Sequence, residues 1–166
     1  MATINRSPRI VILGLGNILL RDEGIGVHVA QTLQESPLPA GLELEVIDGG
    51  TLPDTVATLG DVDKLVVVDA VQGGDEPGAI YRFRPEDVRL DNEMLTSLHQ
   101  ISLLENLWLT ERFGQKPKEV VIIGVEPEDM NLGLELSDRL RQRIPQIIKV
   151  VLEEVVHNSK KGDLRK

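Results

Sequence analysis

The chain has 166 residues, enough for one domain with a single buried core, and its formal charge of −9 disfavours binding to the phosphate backbone of nucleic acids. Aromatic residues make up 2% of the chain against 41% for all hydrophobic residues, which predicts an aliphatic core and does not support a base-stacking function. Because cysteine is absent, disulfides and thiolate sites are excluded, and a bound metal would need histidine and carboxylate ligands.

No stretch of the sequence indicates a membrane span or a secretory signal. The first residues, MATINRSP, lack an apolar core, and no apolar run approaches the roughly 20 residues that cross a bilayer. We therefore expect a cytoplasmic protein with no membrane partner. The expected organisation is a flexible lead-in over residues 1–8, one α/β domain over 9–157 and a disordered basic tail over 158–166.

The first predicted strand, residues 9–14, runs through a glycine-rich turn into a helix over about 22–34. Apolar residues with helical spacing follow at Ile25, Val29 and Leu33. Asp22 stands where it would cap this helix. Gly24 and Gly26 each cost roughly 1 kcal/mol relative to alanine inside a helix, so we expect that close packing requires them.

Farther along the chain, predicted strands alternate with short helices and loops. Residues 42–47 alternate apolar and acidic side chains, which is typical of a sheet edge, and a short helix is expected over 53–60. The continuous apolar run over 64–69 is typical of the centre of a parallel sheet. Residues 79–84 are expected to pair antiparallel, and a polar loop is predicted over 85–96.

The last third of the chain is predicted to contain two helical regions and one strand. Ser97-x-x-Gln100 matches a capping box ahead of a helix. The inner face of that helix is expected to hold Ile101, Leu104, Leu107 and Trp108. After a buried strand over 119–125, a long helix begins at Ser137, and Pro145 is expected to kink it or to start a second helix.

The alternation of strands and helices predicts the fold class. Such a pattern is typical of an α/β protein built as a three-layer α/β/α sandwich. We predict a mostly parallel, five-stranded twisted sheet, made mixed by the antiparallel strand over 79–84.

Acidic residues recur where the predicted strands end. Glu23 follows the first strand, Asp48 and Asp69 end the second and third, and Glu126 follows the strand over 119–125. Ligand crevices in such sheets lie beyond the carboxyl ends of the strands. His99 would lie in the first turn of a helix, where the dipole opposes protonation, and a neutral imidazole beside carboxylates suits a divalent ion. The sequence therefore predicts one metal site assembled from separate segments.

Each of these residues also has a purely structural interpretation. Asp22 is more readily a helix cap than a ligand, and Glu23 could merely complement the helix dipole. Asp48 could serve only to stabilise the Asp-Gly-Gly turn, and His99 could be an ordinary polar residue in the first turn of a helix. Asp69 is harder to explain structurally, because burying a carboxylate at the end of an apolar strand is costly without a partner.

A nucleotide-binding function is disfavoured by the first turn. Gly14-x-Gly16 after a strand begins a dinucleotide fingerprint, but Leu19 occupies its third glycine position. Asp22 and Glu23 stand at the helix start that would receive the pyrophosphate, and two anions there would repel the ligand. A serine nucleophile is not supported either, because no Gly-x-Ser-x-Gly motif is present.

Five motifs, taken together and in order, resemble a known family. They are GLGNILLRDEGIGV at 14–27, IDGGT at 47–51, VDA at 68–70, Ser97-x-His99-Gln100, and IGVEP at 123–127. In this order, over about residues 9–156, they closely resemble the motifs of the [NiFe]-hydrogenase maturation endopeptidases. The first motif is highly specific, and the later ones agree with it in order and spacing.

The resemblance implies an α/β/α fold of the phosphorylase/hydrolase-like type. It also implies an endopeptidase that removes a short C-terminal extension from the precursor of the hydrogenase large subunit after nickel insertion. By the same resemblance Glu23, Asp69 and His99 match the metal ligands, and Asp48 is implicated as well. Nickel is then expected to be carried by the substrate, and other divalent ions could substitute for it.

The residues alone leave the role of the metal open. It could be a recognition determinant, or a Lewis acid that polarises the scissile carbonyl or activates water. Asp48 is a candidate general base, and a freed carboxylate of Glu23 or Asp69 is another. The apolar run Ile18-Leu19-Leu20 either packs beneath this site or faces the tail of the partner.

Two other functions compete with this interpretation. A non-catalytic nickel-binding maturation chaperone would use the same three ligands without cleaving anything. Peptidyl-tRNA hydrolases begin with a similar Gly-Leu-Gly-Asn turn but continue with Pro-Gly, whereas Ile18 and Leu19 follow here. The acidic charge of the chain also opposes tRNA binding.

Overall fold

The computed structural model describes residues 6–87, 103, 107–108, 110–112 and 116–157, without the side chains of 53 and 54. In this part of the chain the strands are β1 (Arg9–Leu15), β2 (Glu43–Gly50), β3 (Lys64–Ala70), β4 (Ile80–Phe83) and β5 (Glu119–Val125). The α-helices with described bounds are α1 (Ile25–Gln34) and α2 (Asp138–His157). Short 3₁₀ helices span Arg21–Gly24, Pro53–Thr58 and Pro85–Asp87.

The strands form one mixed sheet in the order β2-β1-β3-β5-β4, in which β4 alone runs antiparallel to its neighbour. Gly14 at the end of β1 is paired with Asp48 of β2 on one side and with Val68 of β3 on the other. After β1 the chain passes through α1 to β2, which lies on one side of β1. It then continues to β3, which lies on the other side of β1. The order of the strands therefore reverses between β1 and β3, where doubly wound sheets bind ligands.

Helical layers cover both faces of the sheet. The aliphatic side chains of α1 and α2 pack on one face, against alternate residues of β1, β3 and β5. On the other face lie Val56, Leu59 and the helical residues Leu103 and Leu107. They pack against the intervening residues of β1, β3 and β5, whose side chains point to this face. The predicted three-layer sandwich, its mixed five-stranded sheet, the edge position of β2 and the antiparallel β4 are all confirmed.

Close contact between α1 and the sheet explains a glycine that would otherwise weaken the helix. A methyl group on Gly26 would overlap the carbonyl oxygens of Leu15 and Val68. The start of α1 therefore lies directly against the ends of β1 and β3. The expectation that close packing requires glycine here is confirmed.

Two local predictions were wrong, and one of the two alternatives for Pro145 is excluded. The first helix begins at Ile25 after a 3₁₀ turn, and no side chain caps it, so Asp22 is not its N-cap. The last helix continues through Pro145, which is exposed, so no second helix starts there; the alternative, a kink at this residue, stays a prediction. Trp108 is 55% exposed rather than on the inner face, and the Arg112 guanidinium lies 4.8 Å from its ring centre.

Some predictions fall on residues outside the described part of the chain. These include the capping box with Ser97 and Gln100, the inner-face residues Ile101 and Leu104, most of the loop over 85–96, and the basic tail over 158–166. Of the expected lead-in, residues 6–8 are described, and Arg6 lies 3.9 Å from a carboxylate oxygen of Glu43.

An ion-pair network occupies the amino-terminal edge of the sheet. The ammonium group of Lys64, 1% exposed at the start of β3, donates to the Glu154 side chain at 2.8 Å and to its carbonyl oxygen at 2.9 Å. Arg82 of β4 binds both carboxylate oxygens of Glu154 at 2.7 Å. These hydrogen bonds, that of Arg82 foremost, lower the pKa of Glu154 to about 2. The network fastens α2 to β3 and β4.

Among the described residues, no helix is both long enough and apolar enough to cross a membrane.

Candidate active site

Asp69 is a buried carboxylate at the carboxyl end of β3, beside the point where the strand order reverses. Its side chain is 1% exposed, and Oδ1 accepts a hydrogen bond of 2.8 Å from the Ala70 N–H. Oδ2 is buried and has no hydrogen-bond partner among the described residues. Burial, and to a smaller extent the negative charge of Glu23, raise the pKa of this carboxyl to about 8. A cation at this position would offset both effects.

Glu23 reaches the same edge of the sheet through the turn that leaves β1. Gly16 has a φ of 152°, and a side chain there would overlap the Glu23 carbonyl oxygen, so the turn passes directly over the Arg21–Gly24 helix. The Glu23 side chain is half-buried, and its charge acts on Asp69. The structure thus brings Glu23 and Asp69 together, as predicted from the sequence.

Asp22 fixes the turn that carries Glu23. Its fully buried carboxylate accepts hydrogen bonds of 2.7–2.9 Å from the N–H groups of Glu128, Asp129 and Ser137 and from the Ser137 hydroxyl. The same hydroxyl accepts a hydrogen bond from the Leu140 N–H, in the first turn of α2. Asp22 therefore ties the turn after β1 to the loop after β5 and to the start of α2.

Asp48 lies at the same edge but on the other face of the sheet. Side chains alternate along a strand, so Asp48 shares the α1 face with Leu44 and Val46, whereas Asp69 shares the opposite face with Val67. Asp48 is exposed; Oδ1 accepts from the Gly50 N–H at 3.0 Å, and Oδ2 from the Gln31 side chain at 3.1 Å. These contacts fit the turn-forming interpretation. The general-base role of Asp48 stays a prediction.

His99, the third predicted ligand, lies outside the described residues. Among the described residues, no three histidine, aspartate or glutamate side chains form a group that could hold a metal ion. Asp69 faces the same side of the sheet as Leu103 and Leu107, the helical residues that follow His99 in the chain.

Glu126, the other acid that was noted after a predicted strand, makes its hydrogen bonds to residues other than Asp69. Its Oε2 accepts hydrogen bonds of 2.7 Å from the Tyr81 hydroxyl and from the Gly73 N–H. Burial, and then the hydrogen bond to Glu126, raise the pKa of the Tyr81 hydroxyl above its usual range. Glu126 thus fastens the loop after β3 to the ends of β4 and β5.

Sequence reasoning missed the role of Asp22 because its partners lie 106–115 residues away along the chain. The turn before Asp22 contains the apolar run over residues 18–20, for which the sequence left open whether it packs beneath the site. Ile18 and Leu19 are exposed, at 41% and 56%, and so do not pack beneath the site, whereas Leu20 is half-buried.

Fold and site together define a class of protein. It is a doubly wound α/β protein in which two acidic side chains, one of them buried without a counter-ion among the described residues, meet at the strand-order reversal. This arrangement suits recognition of a cation at the carboxyl edge of the sheet.

Comparisons with known proteins identify the family. A family model described as hydrogenase maturation protease matches residues 27–154. The chain is 33% identical to the hydrogenase 2 maturation protease of Escherichia coli over 148 residues, covering 87% of this chain and 88% of that protein. It is 36% identical over 152 residues to the hydrogenase expression/formation protein HupD of Thiocapsa roseopersicina, covering 88% and 67% of the two chains.

Solved structures with a similar fold support the same family assignment. The hydrogenase maturating endopeptidase HybD of E. coli superposes with a TM-score of 0.77 at 29% identity, covering 90% of this chain and 93% of the other. The maturation protease HycI of Thermococcus kodakarensis gives a TM-score of 0.66 at 25% identity, covering 90% and 93%. The chain belongs to the hydrogenase maturation protease family, whose members are endopeptidases.

Proposed function

We propose that this endopeptidase removes the C-terminal extension of a [NiFe]-hydrogenase large-subunit precursor after nickel has been inserted. In this proposal Glu23, Asp69 and His99 face the nickel, which arrives as part of the substrate and is not a resident cofactor. Other divalent ions could occupy the same position. The proposal keeps the cytoplasmic location expected from the sequence and involves no nucleic acid, membrane or nucleotide partner.

The observation that carries the proposal is the environment of Asp69. A carboxylate that is 1% exposed is expensive to ionise, and the nearby charge of Glu23 adds to the cost. A divalent cation bound between the two groups would attract both carboxylates, and this attraction would offset both costs. Oxygen and imidazole ligands without a thiolate hold nickel weakly, which fits a metal that is met on the substrate rather than retained.

The expected reaction is the hydrolysis of one peptide bond. Water adds to the scissile carbonyl carbon, the C–N bond breaks, and the new amine takes up a proton. Glu23 and Asp69 would position the precursor through its cation, so that this bond lies at the strand-order reversal. Asp48 is the candidate general base, with a freed carboxylate of Glu23 or Asp69 as the alternative.

A processing assay tests the proposal. The purified protein is incubated with nickel-loaded and with metal-free large-subunit precursor, and the size of the product is followed. We expect processing of the nickel-loaded form only, and its loss in Asp69→Asn. Glu76→Gln, which alters an exposed acid in the loop after β3, serves as the matched control and should process normally.

Two outcomes would contradict the proposal. Equal processing of the metal-free precursor would remove the role of nickel in recognition. Failure to process either form, with the nickel-loaded form still bound, would instead favour a maturation chaperone.

A further inference from the structure

Exposed leucines are concentrated beside the candidate site. Leu132 and Leu134, in the loop after β5, are 83% and 65% exposed, and Leu19, in the turn after β1, is more than half exposed. Both segments follow the carboxyl ends of their strands, so these side chains lie at the same edge of the sheet as Asp69. Large aliphatic groups clustered in solvent are typical of interaction surfaces.

Backbone hydrogen bonds join the two segments into one surface. The Gly133 N–H donates to the Leu19 carbonyl at 2.9 Å, and the Arg21 N–H donates to the Gly133 carbonyl at 3.0 Å. Leu20 and Gly133 are paired as a parallel bridge, which sets Leu19 beside Leu132. The leucines therefore form a single patch although they are more than 110 residues apart in sequence.

The patch is also held in place from below. Four hydrogen bonds to the buried Asp22 carboxylate fix the loop after β5, and Arg21 adds an ion pair of 3.2 Å to Asp129. A surface that is ordered before binding does not lose this conformational entropy when a partner docks.

We propose that Leu19, Leu132 and Leu134 form a docking surface for an aliphatic segment of the polypeptide substrate, outside the scissile bond. This inference rests on the proposed function, because the surface adjoins the edge at which that bond would be cleaved. A second copy of this chain is a poorer occupant. Pairing two copies through this edge would bring the acidic side chains of Glu23 and Asp48 in one copy close to those in the other, and would cover the site.

The test measures binding separately from cleavage. Immobilised metal-free large-subunit precursor, which the proposed function leaves uncleaved, is titrated with the wild-type protein and with the double variant Leu132→Ser/Leu134→Ser. Burying a leucine is worth a factor of ten or more in affinity, so we expect the Kd to rise at least about tenfold. With nickel-loaded precursor, KM should rise similarly while kcat stays within about twofold.

Two further variants control the experiment. Leu38→Ser replaces a 36%-exposed leucine in the connection between α1 and β2, at the opposite edge of the sheet, and should leave the Kd within about twofold. Leu19→Ser tests the patch from its other segment and should weaken binding like the double variant. Unchanged circular dichroism and melting temperature would exclude unfolding as the cause.

Several results would overturn the docking surface. These are wild-type affinity in both patch variants, equal weakening by Leu38→Ser, or no binding of metal-free precursor by the wild-type protein. A concentration-dependent dimer that the double variant abolishes would assign the patch to self-association instead. If wild-type protein binds the precursor through this patch but never cleaves it, the proposed function fails and the docking surface stands.

Discussion

Two carboxylates are buried at opposite ends of the same sheet, in contrasting surroundings. Glu154 lies at the amino-terminal edge, where hydrogen bonds from Arg82 and then from Lys64 hold its pKa at about 2. Asp69 lies at the carboxyl edge, where burial and the charge of Glu23 raise its pKa to about 8. One acid is stabilised as an anion by the fold, and the other is destabilised as an anion by it.

The contrast separates a structural acid from a functional candidate. Breaking a buried ion pair leaves an uncompensated charge, so a contribution to stability is sufficient to explain the network around Glu154. Nothing of that kind maintains Asp69, whose Oδ2 has no hydrogen-bond partner among the described residues. A carboxylate that costs stability persists where something other than folding requires it.

The largest expected effect is that of Asp69→Asn on activity. Removing the charge should lower the processing of nickel-loaded precursor by about 10³-fold, equivalent to about 4 kcal/mol. The same variant should be more stable at pH 7 by about 2 kcal/mol, because the wild-type carboxyl must take up a proton on folding at this pH and the amide has no such cost. Processing assays and urea unfolding of the same preparation measure both. Full activity, or a loss of stability, would assign Asp69 to the fold.

The pH dependence of that stability gain has a definite sign. The pKa of Asp69 is raised from 3.8 when unfolded to about 8 when folded. Between these values the unfolded chain has lost the proton and the folded chain retains it, so this carboxyl lowers stability as pH rises. The advantage of Asp69→Asn over wild type should therefore grow from about pH 4 to about pH 8.

Glu154→Gln should show the opposite pattern. It leaves the buried ammonium of Lys64 with a weaker partner, Glu119 at 3.7 Å, and should cost about 3 kcal/mol of stability at pH 7. Because the folded pKa of about 2 lies below the usual 4.5, the contribution of Glu154 is complete above pH 4.5 and is lost as pH falls toward 2. The variant should lack this acid-dependent loss and keep its processing activity.

Glu153→Gln is the matched control, since it changes the exposed neighbouring residue of α2. Its free energy of unfolding should stay within about 0.5 kcal/mol of wild type. If it destabilises the protein as much as Glu154→Gln does, the effect belongs to the net charge of the helix and not to the network.

Asp22→Asn should have an intermediate effect, because Asp22 supports the site without facing the substrate. An amide turns two donor hydrogens toward N–H groups that now donate to a carboxylate, at a cost of about 2 kcal/mol. Processing should fall by about tenfold as the turn carrying Glu23 loosens. Urea unfolding and steady-state kinetics measure these effects. Asp61→Asn, at an exposed site, should change neither; an equal loss there would refute the anchoring role.

The sequence predicted the architecture well because the elements are locally encoded. The apolar run of β3 and the alternation of β2 each identify a strand and its place in the sheet, and the observed bounds differ from the predicted ones by at most three residues. Asp69 was recognisable as a candidate site residue for the same reason, since an acid that ends a buried strand has few structural explanations.

What could not be predicted depends on contacts between distant parts of the chain. The partners of Asp22 follow β5, and no local pattern distinguishes an anchor of that loop from a helix cap. Glu154 left a fainter signal: it lies seven residues after Ile147 and fourteen after Leu140, on the buried stripe of α2. That spacing predicts burial, but it cannot name Lys64 or Arg82 as the partners.

The smallest expected effect is that of Asp48→Asn, which tests whether the carboxyl edge holds a second functional acid. Asparagine can still accept the Gly50 hydrogen bond that shapes the turn, so the fold should be unchanged. Because Asp48 is exposed and lies on the face of the sheet opposite to Asp69, we expect kcat to fall less than about tenfold. Loss of a true general base costs about 10²–10⁴-fold. A loss in that range, with an unchanged melting temperature, would establish Asp48 as the base and would require the substrate to span both faces of the edge.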